Sequence, residues 1–165
     1  MNKINLESHI ADYVIKNKES HYRLAYSYVK NREDALDIVQ ESIYKAISSK
    51  RTLKNPDHIR TWFYRIIVNT SLDFLRKQKR LVLSDDEAML LNEAACEDSY
   101  RDIDLQKALY NLPDNCRSII VLRYFEDLKI DEIAEILGEN INTIKTRLYK
   151  SLEKLRIQLC ESEEE

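Results

Sequence analysis

Residues 130–156 read IDEIAEILGENINTIKTRLYKSLEKLR, and this stretch decides the fold. Ile130, Ile133, Ala134 and Leu137 recur at i, i+3, i+4 and i+7, the spacing of one face of a short helix. The pattern stops at Gly138, the only glycine in 165 residues, a residue that takes positive φ at little steric cost. Ile141, Ile144, Leu148, Leu152 and Leu155 then form the expected buried face of a second helix. Ala134 where the helices cross, Gly138 four residues on and Ile144 six after that have the spacing of a helix-turn-helix. An ordinary helical hairpin with a glycine cap would share it. With Ile141, Ile144 and Leu148 inward, Asn142, Thr143, Lys145, Thr146, Arg147 and Lys150 face out. Those side chains suit the donor–acceptor pattern of a major-groove floor and its phosphate walls.

Working outward, the same helical spacing covers most of the chain. One glycine and two prolines leave too few turn residues for a sandwich or barrel, and too few glycines for a phosphate-cradling loop. Leu105, Ala108, Leu109 and Leu112 mark one helix. Pro113-Asp114 opens the next, with Ile119, Ile120, Leu122 and Tyr124 expected inside. In the first half, a helix is expected near 5–17. A second, over about 20–30, carries Tyr22, Ala25, Tyr26 and Val29, with Asn31 as its left-handed stop. Ala35, Ile38, Val39, Ile43, Ala46 and Ile47 stripe a third, whose N-terminal end Glu33 and Asp34 favour. Residues 48–55 read as a loop. Asn55-Pro56-Asp57 then reads as a helix start, and Ile59, Phe63, Ile66, Ile67, Thr70 and Phe74 mark one long helix. The fold class is all-α, in two small helical domains over 1–80 and 105–165.

Between them, residues 81–104 read as an acidic linker with at most a short helix near Met89, Leu90 and Leu91. Fully extended, it would reach roughly 80 Å at ~3.3 Å per residue, more than two turns of duplex at ~34 Å each. The net charge of −3 conceals strong segregation. Residues 60–80 hold six bases and one acid, net +5, and residues 141–156 hold five bases and one acid, net +4. Residues 85–104 hold eight acids and one base, net −7, and the last five residues add −4. Two basic elements thus flank an acidic one.

Other function classes find no support. Cys96, Cys116 and Cys160, like His9, His21 and His58, are scattered without metal-ligand spacing. No paired carboxylates or nucleophile–base set stands out, so no catalytic residue, metal or cofactor is expected. No apolar run spans a bilayer and residues 1–10 lack a signal-peptide core, so a cytoplasmic location is expected. The helix IRTWFYRIIVNTSLDFLRKQKR (59–80) interleaves aromatic and basic residues as single-strand binders do, although Trp62 lies close to the apolar stripe, where core is the commoner role.

Together these stretches resemble an extracytoplasmic-function (ECF) sigma factor of the sigma-70 family. EDALDIVQESIYKA (33–46) and the 59–80 helix are similar to conserved region 2. LPDNCRSIIVLRYFEDLKIDEIAEILGENINTIKTRLYKSLEKLR (112–156) is similar to region 4. The resemblance implies that Asp37, Gln40 and Glu41 dock on the clamp coiled coil of the polymerase β′ subunit. It implies that Asn69 and the loop around Leu53 and Lys54 capture a flipped −10 base, with Arg65, Arg76, Lys77, Lys79 and Arg80 against the nearby phosphates. Asn142, Thr143, Lys145, Thr146, Arg147 and Lys150 fall on the −35 recognition helix. Core RNA polymerase (β′ clamp and β flap), promoter DNA and an anti-sigma factor, often membrane-anchored in this class, are the implied partners of a chain that is monomeric when free. The linker matches the segment threaded through the RNA-exit path. Glu139 stands where the family usually has an apolar turn residue, Asn142 replaces a frequent small one, and Ile43 takes an aromatic position.

Two rival readings explain less. A helix-turn-helix regulator acting without polymerase leaves 37–41 and the aromatic–basic helix without a role. A helical adaptor that binds only protein leaves the basic recognition face without one.

Overall fold

The computed structural model describes residues 5–84 and 100–163, which form eight α-helices and, among the described residues, no strand. Met89 to Leu91, where at most a short helix is expected, and Cys96 lie outside them. In the first half α1 (Leu6–Lys16), α2 (Lys18–Val29), α3 (Arg32–Ser48) and α4 (Ile59–Ser84) form a bundle around Leu24, Ile38, Phe63 and Ile67. The stop after α2 falls at Lys30 (φ 57°) rather than Asn31. Asn31 is extended and caps α3 instead, its Oδ1 accepting the Asp34 N–H at 3.2 Å. Such a cap contributes about 1 kcal/mol, and asparagine serves it better than it serves a left-handed stop here. The Asn55-Pro56-Asp57 start signal opens a short 3-10 turn, Pro56–His58, with Asn55 Oδ1 accepting the Asp57 N–H at 3.0 Å. Helix α4 then continues to Ser84, four residues past the expected edge of the first domain.

The second half holds α5 (Tyr100–Tyr110), α6 (Asp114–Ile120), α7 (Ile130–Leu137) and α8 (Ile141–Glu163). Its first helix starts five residues earlier than Leu105. Gly138 sits at φ +65° and closes α7 as the sequence requires. Helix α6 runs into a π turn, Val121–Phe125, and the chain leaves it through Asp127 at φ 53°. Extra residues inserted in this way re-aim the side chains that follow.

Four residues expected inside are exposed: Ile47 at 42%, Leu105 at 37%, Tyr124 at 55% and Ile141 at 43%. Ile47, Tyr124 and Ile141 lie at the end of a helix or on the π turn, where a regular 3.6-residue period no longer fixes direction, whereas Leu105 lies midway along α5. Tyr28 and Tyr64, off the predicted stripes, are buried. The cause is that α2 also packs on α6 and the π turn, while α4 packs on α7, so the two halves share a contiguous core.

His21 is wholly buried among the rings of Tyr13, Phe63 and Tyr64, at centroid distances of 5.3, 4.5 and 5.6 Å. Burial lowers its pKa from 6.5 to about 4. The unfolded chain therefore binds a proton that the folded chain refuses across that window, so this contribution is complete above about pH 6.5 and lost as pH falls towards 4. Between about pH 7 and about pH 5 the folded state should lose about 2 kcal/mol through this group. His21→Phe should flatten the pH dependence of urea unfolding by that amount. Parallel wild-type and variant profiles would place the titration elsewhere.

Candidate functional site

Three surfaces present the residues singled out from the sequence. On α3, Asp37, Gln40 and Glu41 occupy i, i+3 and i+4, which places them in one patch; all three are exposed. Glu41 pairs with Lys45 at 3.3 Å. Asp34 adds to the negative charge: partial burial, then the nearby Asp37 and Glu33 carboxylates, raise its pKa. Leu36 (44%), Tyr44 (74%) and Ile47 are exposed on the same helix. Carboxylates interleaved with unburied apolar side chains suit a protein partner with basic and apolar contacts.

The second surface lies along α4. Arg65 and Asn69 are exposed one turn apart, and Arg76, Lys77, Lys79 and Arg80 follow, all exposed. Arg76 pairs with Asp73 at 3.1 Å. Asn69 borders a cavity of about 410 Å³ walled by Tyr44, Lys45, Ser48 and Ser49 on one side and Ile66 and Thr70 on the other. Lys45 Nζ donates to Thr70 Oγ1 at 3.3 Å across it. Leu53 is 4% exposed and packs inward, so it anchors its loop and cannot offer its side chain to a base; only Lys54 of that pair faces out. Trp62 is half-buried and donates its Nε1–H to Thr52 Oγ1 at 2.9 Å, which holds the same loop. Sequence reading missed Tyr44 as a wall of this cavity. The available signal was an aromatic residue lying off the apolar stripe of its helix.

The third surface is the N-terminal half of α8. Asn140 Oδ1 accepts the Asn142 N–H at 2.8 Å and fixes the helix start. Ile144, Leu148, Ser151 and Leu155 face inward. Asn142, Lys145, Thr146 and Lys150 are exposed, and Thr143 and Arg147 half so. The face is as expected apart from Ile141, which as the first residue of the helix points to solvent beside it. Tyr149, 68% exposed, joins this surface unforeseen. Glu139 Oε1 holds Arg147 Nη1 at 3.0 Å. The departure from the family pattern at Glu139 therefore acts on Arg147 directly, restricting where its guanidinium points.

Among the described residues no group of His, Cys, Asp and Glu could hold a metal, and no helix is long and apolar enough to cross a membrane.

Comparison with known proteins agrees with this arrangement. Residues 14–81 match the family "Sigma-70 region 2" and residues 102–155 match "Sigma-70, region 4". The chain is 55% identical over 150 residues to RNA polymerase sigma factor SigV of Bacillus subtilis (strain 168), spanning 91% of this chain and 90% of that protein. It is 32% identical to ECF RNA polymerase sigma factor SigW of the same organism, over 90% of this chain and 88% of that one. Its fold is like that of the sigma factor RpoE crystallised with the anti-sigma factor NepR from Bartonella quintana. The TM-score there is 0.81 at 24% identity, over 90% of this chain and 95% of that one. CnrH in complex with the cytosolic domain of CnrY gives 0.65 at 23%, over 91% and 86%. A two-domain helical protein with these matches belongs to the sigma-70 family. Within it, the chain is an RNA polymerase sigma factor of the ECF group, a transcription initiation factor.

Proposed function

We propose that the chain binds core polymerase through the α3 patch, reads a −35 element with α8 and captures an unpaired −10 base beside Asn69. The observation that carries this reading is the division of exposed charge: an acidic, partly apolar face on α3 and basic faces on α4 and α8. A protein partner suits the first and phosphates suit the other two. The clamp coiled coil and the flap of the polymerase are the two docking points. Nucleotidyl transfer belongs to the polymerase, and the chain itself performs no covalent chemistry. An anti-sigma partner is supported by the complexes of the two structural neighbours, and the same reading has the protein work in the cytoplasm and be monomeric when free.

Run-off transcription with core polymerase and genomic templates tests the whole reading, and promoter-specific initiation is the expected outcome. Sequence-specific duplex binding with no dependence on core would favour a polymerase-independent regulator. The same assay separates base reading from phosphate anchoring. A base-edge contact is worth roughly 1–3 kcal/mol of discrimination, whereas a phosphate contact weakens all sequences alike and lowers the salt slope by about one. Arg147→Ala should relax preference at one or two −35 positions, and Lys150→Ala should reduce binding evenly across −35 variants. If the Arg147→Ala holoenzyme and its wild-type parent rank a −35 library identically, Arg147 is not a base reader.

A further inference from the structure

The loop that carries Lys54 is pinned on both sides of that residue. Leu53 is buried before it, and after Asn55 the Pro56 carbonyl accepts the Nε2–H of His9 at 3.2 Å. A carbonyl only accepts, so the His9 ring carries a proton on Nε2. Asn55 is engaged locally, its Oδ1 accepting the Asp57 N–H at 3.0 Å. Nearer the start of the loop, the Lys50 ammonium donates to the Glu7 carboxylate. Glu7 and His9 both belong to α1, and their partners lie 43 and 47 positions further along the chain. Ile10 and Val14 seat α1 on the core and so fix its rotation. Helix α4 holds the same loop through Trp62 and Thr52.

We infer that Glu7 and His9 are positioning residues, through which α1 holds the 49–58 loop in the shape that presents Lys54 and so sets selectivity at the −10 element. A surface loop samples many shapes unless its scaffold restrains it, and a base-reading group discriminates only when its position is fixed beforehand. The two contacts suit that task better than they suit stability. The Glu7 and Lys50 side chains are 53% and 35% exposed, and an ion pair so open to water adds little to folding. It can still restrict a loop whose other restraints are Leu53 and Trp62. The selectivity rests on the −10 reading proposed above; the hold of α1 on the loop does not.

Trp62 is the only tryptophan in the chain, so its fluorescence, excited selectively over tyrosine, reports on the loop without any polymerase. In the full-length protein, Glu7→Ala/His9→Ala should increase acrylamide quenching of Trp62 while leaving circular dichroism unchanged. Lys50→Ala should do the same from the loop side. His9→Gln keeps a side-chain N–H for the Pro56 carbonyl, so it should stay closer to wild type than His9→Ala does. In run-off transcription with core polymerase, the double variant should lower the preference among −10 variants about three- to tenfold, the scale of one or two ordinary hydrogen bonds. Its ranking of −35 variants should not change, whereas a merely destabilised protein would lose output on both libraries alike. Unchanged quenching would overturn the inference, as would a loosened loop that keeps the wild-type −10 preference. Increased quenching in the variants, with no −10 preference in wild type itself, would uphold the hold of α1 on the loop and remove the −10 reading.

Discussion

Protein carrying Asp37→Lys and Glu41→Lys is expected to lose binding to core polymerase in a pull-down, with its circular dichroism matching that of the parent. Both carboxylates are exposed on α3, and exposed substitutions usually move stability by no more than ~0.5 kcal/mol. The one contact sacrificed is the 3.3 Å pair between Glu41 and Lys45, an exposed i,i+4 pair worth about 0.3–0.5 kcal/mol. Binding responds far more strongly. Two reversals turn attraction to a basic partner into like-charge juxtaposition, which costs several kcal/mol at an interface. A loss of roughly 4 kcal/mol is about a thousandfold in affinity. On the proposed docking, the exposed Leu36, Tyr44 and Ile47 beside the patch would supply the apolar part of the same contact, so Tyr44→Ala should weaken binding without a charge change. Unaltered capture of core by the double reversal would move the docking surface off α3.

Much of this architecture is legible in the sequence because it depends on local chemistry. Gly138 at φ +65° and the Asn55–Pro56 start depend on what one or two residues allow. The apolar spacing that predicts α4 also predicts which of its side chains face away from the core, so Arg65, Asn69 and the basic run to Arg80 lie where expected. The failures share a different cause. A regular period continued to the ends of elements, where the helix stops or widens, misplaces Ile47, Tyr124 and Ile141. The resemblance assigns the loop around Leu53 to DNA, yet the apolar Leu53 side chain is buried in the core. The contact between the two halves has no signature in the sequence. Glu126 is an ordinary acid in a turn until Arg23, 103 positions earlier, is brought against it, and no local spacing encodes such a meeting.

Arg117 makes the same point through stability, and Arg117→Ala is expected to lower it by about 3–5 kcal/mol, the range for removing one partner from a buried ionic network. Its side chain is 5% exposed, which is unusual for arginine. The guanidinium fills the corner between α5 and α6. It donates to the carbonyls of Leu109 at 2.9 Å, Tyr110 at 3.2 Å and Leu112 at 2.5 Å. The first two lie at the C-terminal end of α5, where a helix leaves carbonyls without internal partners and favours positive charge, and the third lies in the turn just beyond it. It also pairs with Asp114 at 2.8 Å and reaches the Ser27 carbonyl of α2 in the first half. Alanine would strand these acceptors in a space water reaches poorly, and each buried unsatisfied group costs about 1–3 kcal/mol. Lysine restores the charge but lacks the planar fork, so Arg117→Lys should recover only part of the loss. Since domains have only about 5–15 kcal/mol in total, the alanine variant should shift the urea midpoint far enough to leave the second half partly unfolded at about 37 °C. An unfolding free energy within ~0.5 kcal/mol of wild type, the range of an ordinary surface substitution, would mean that the α5–α6 corner is held by its apolar contacts alone.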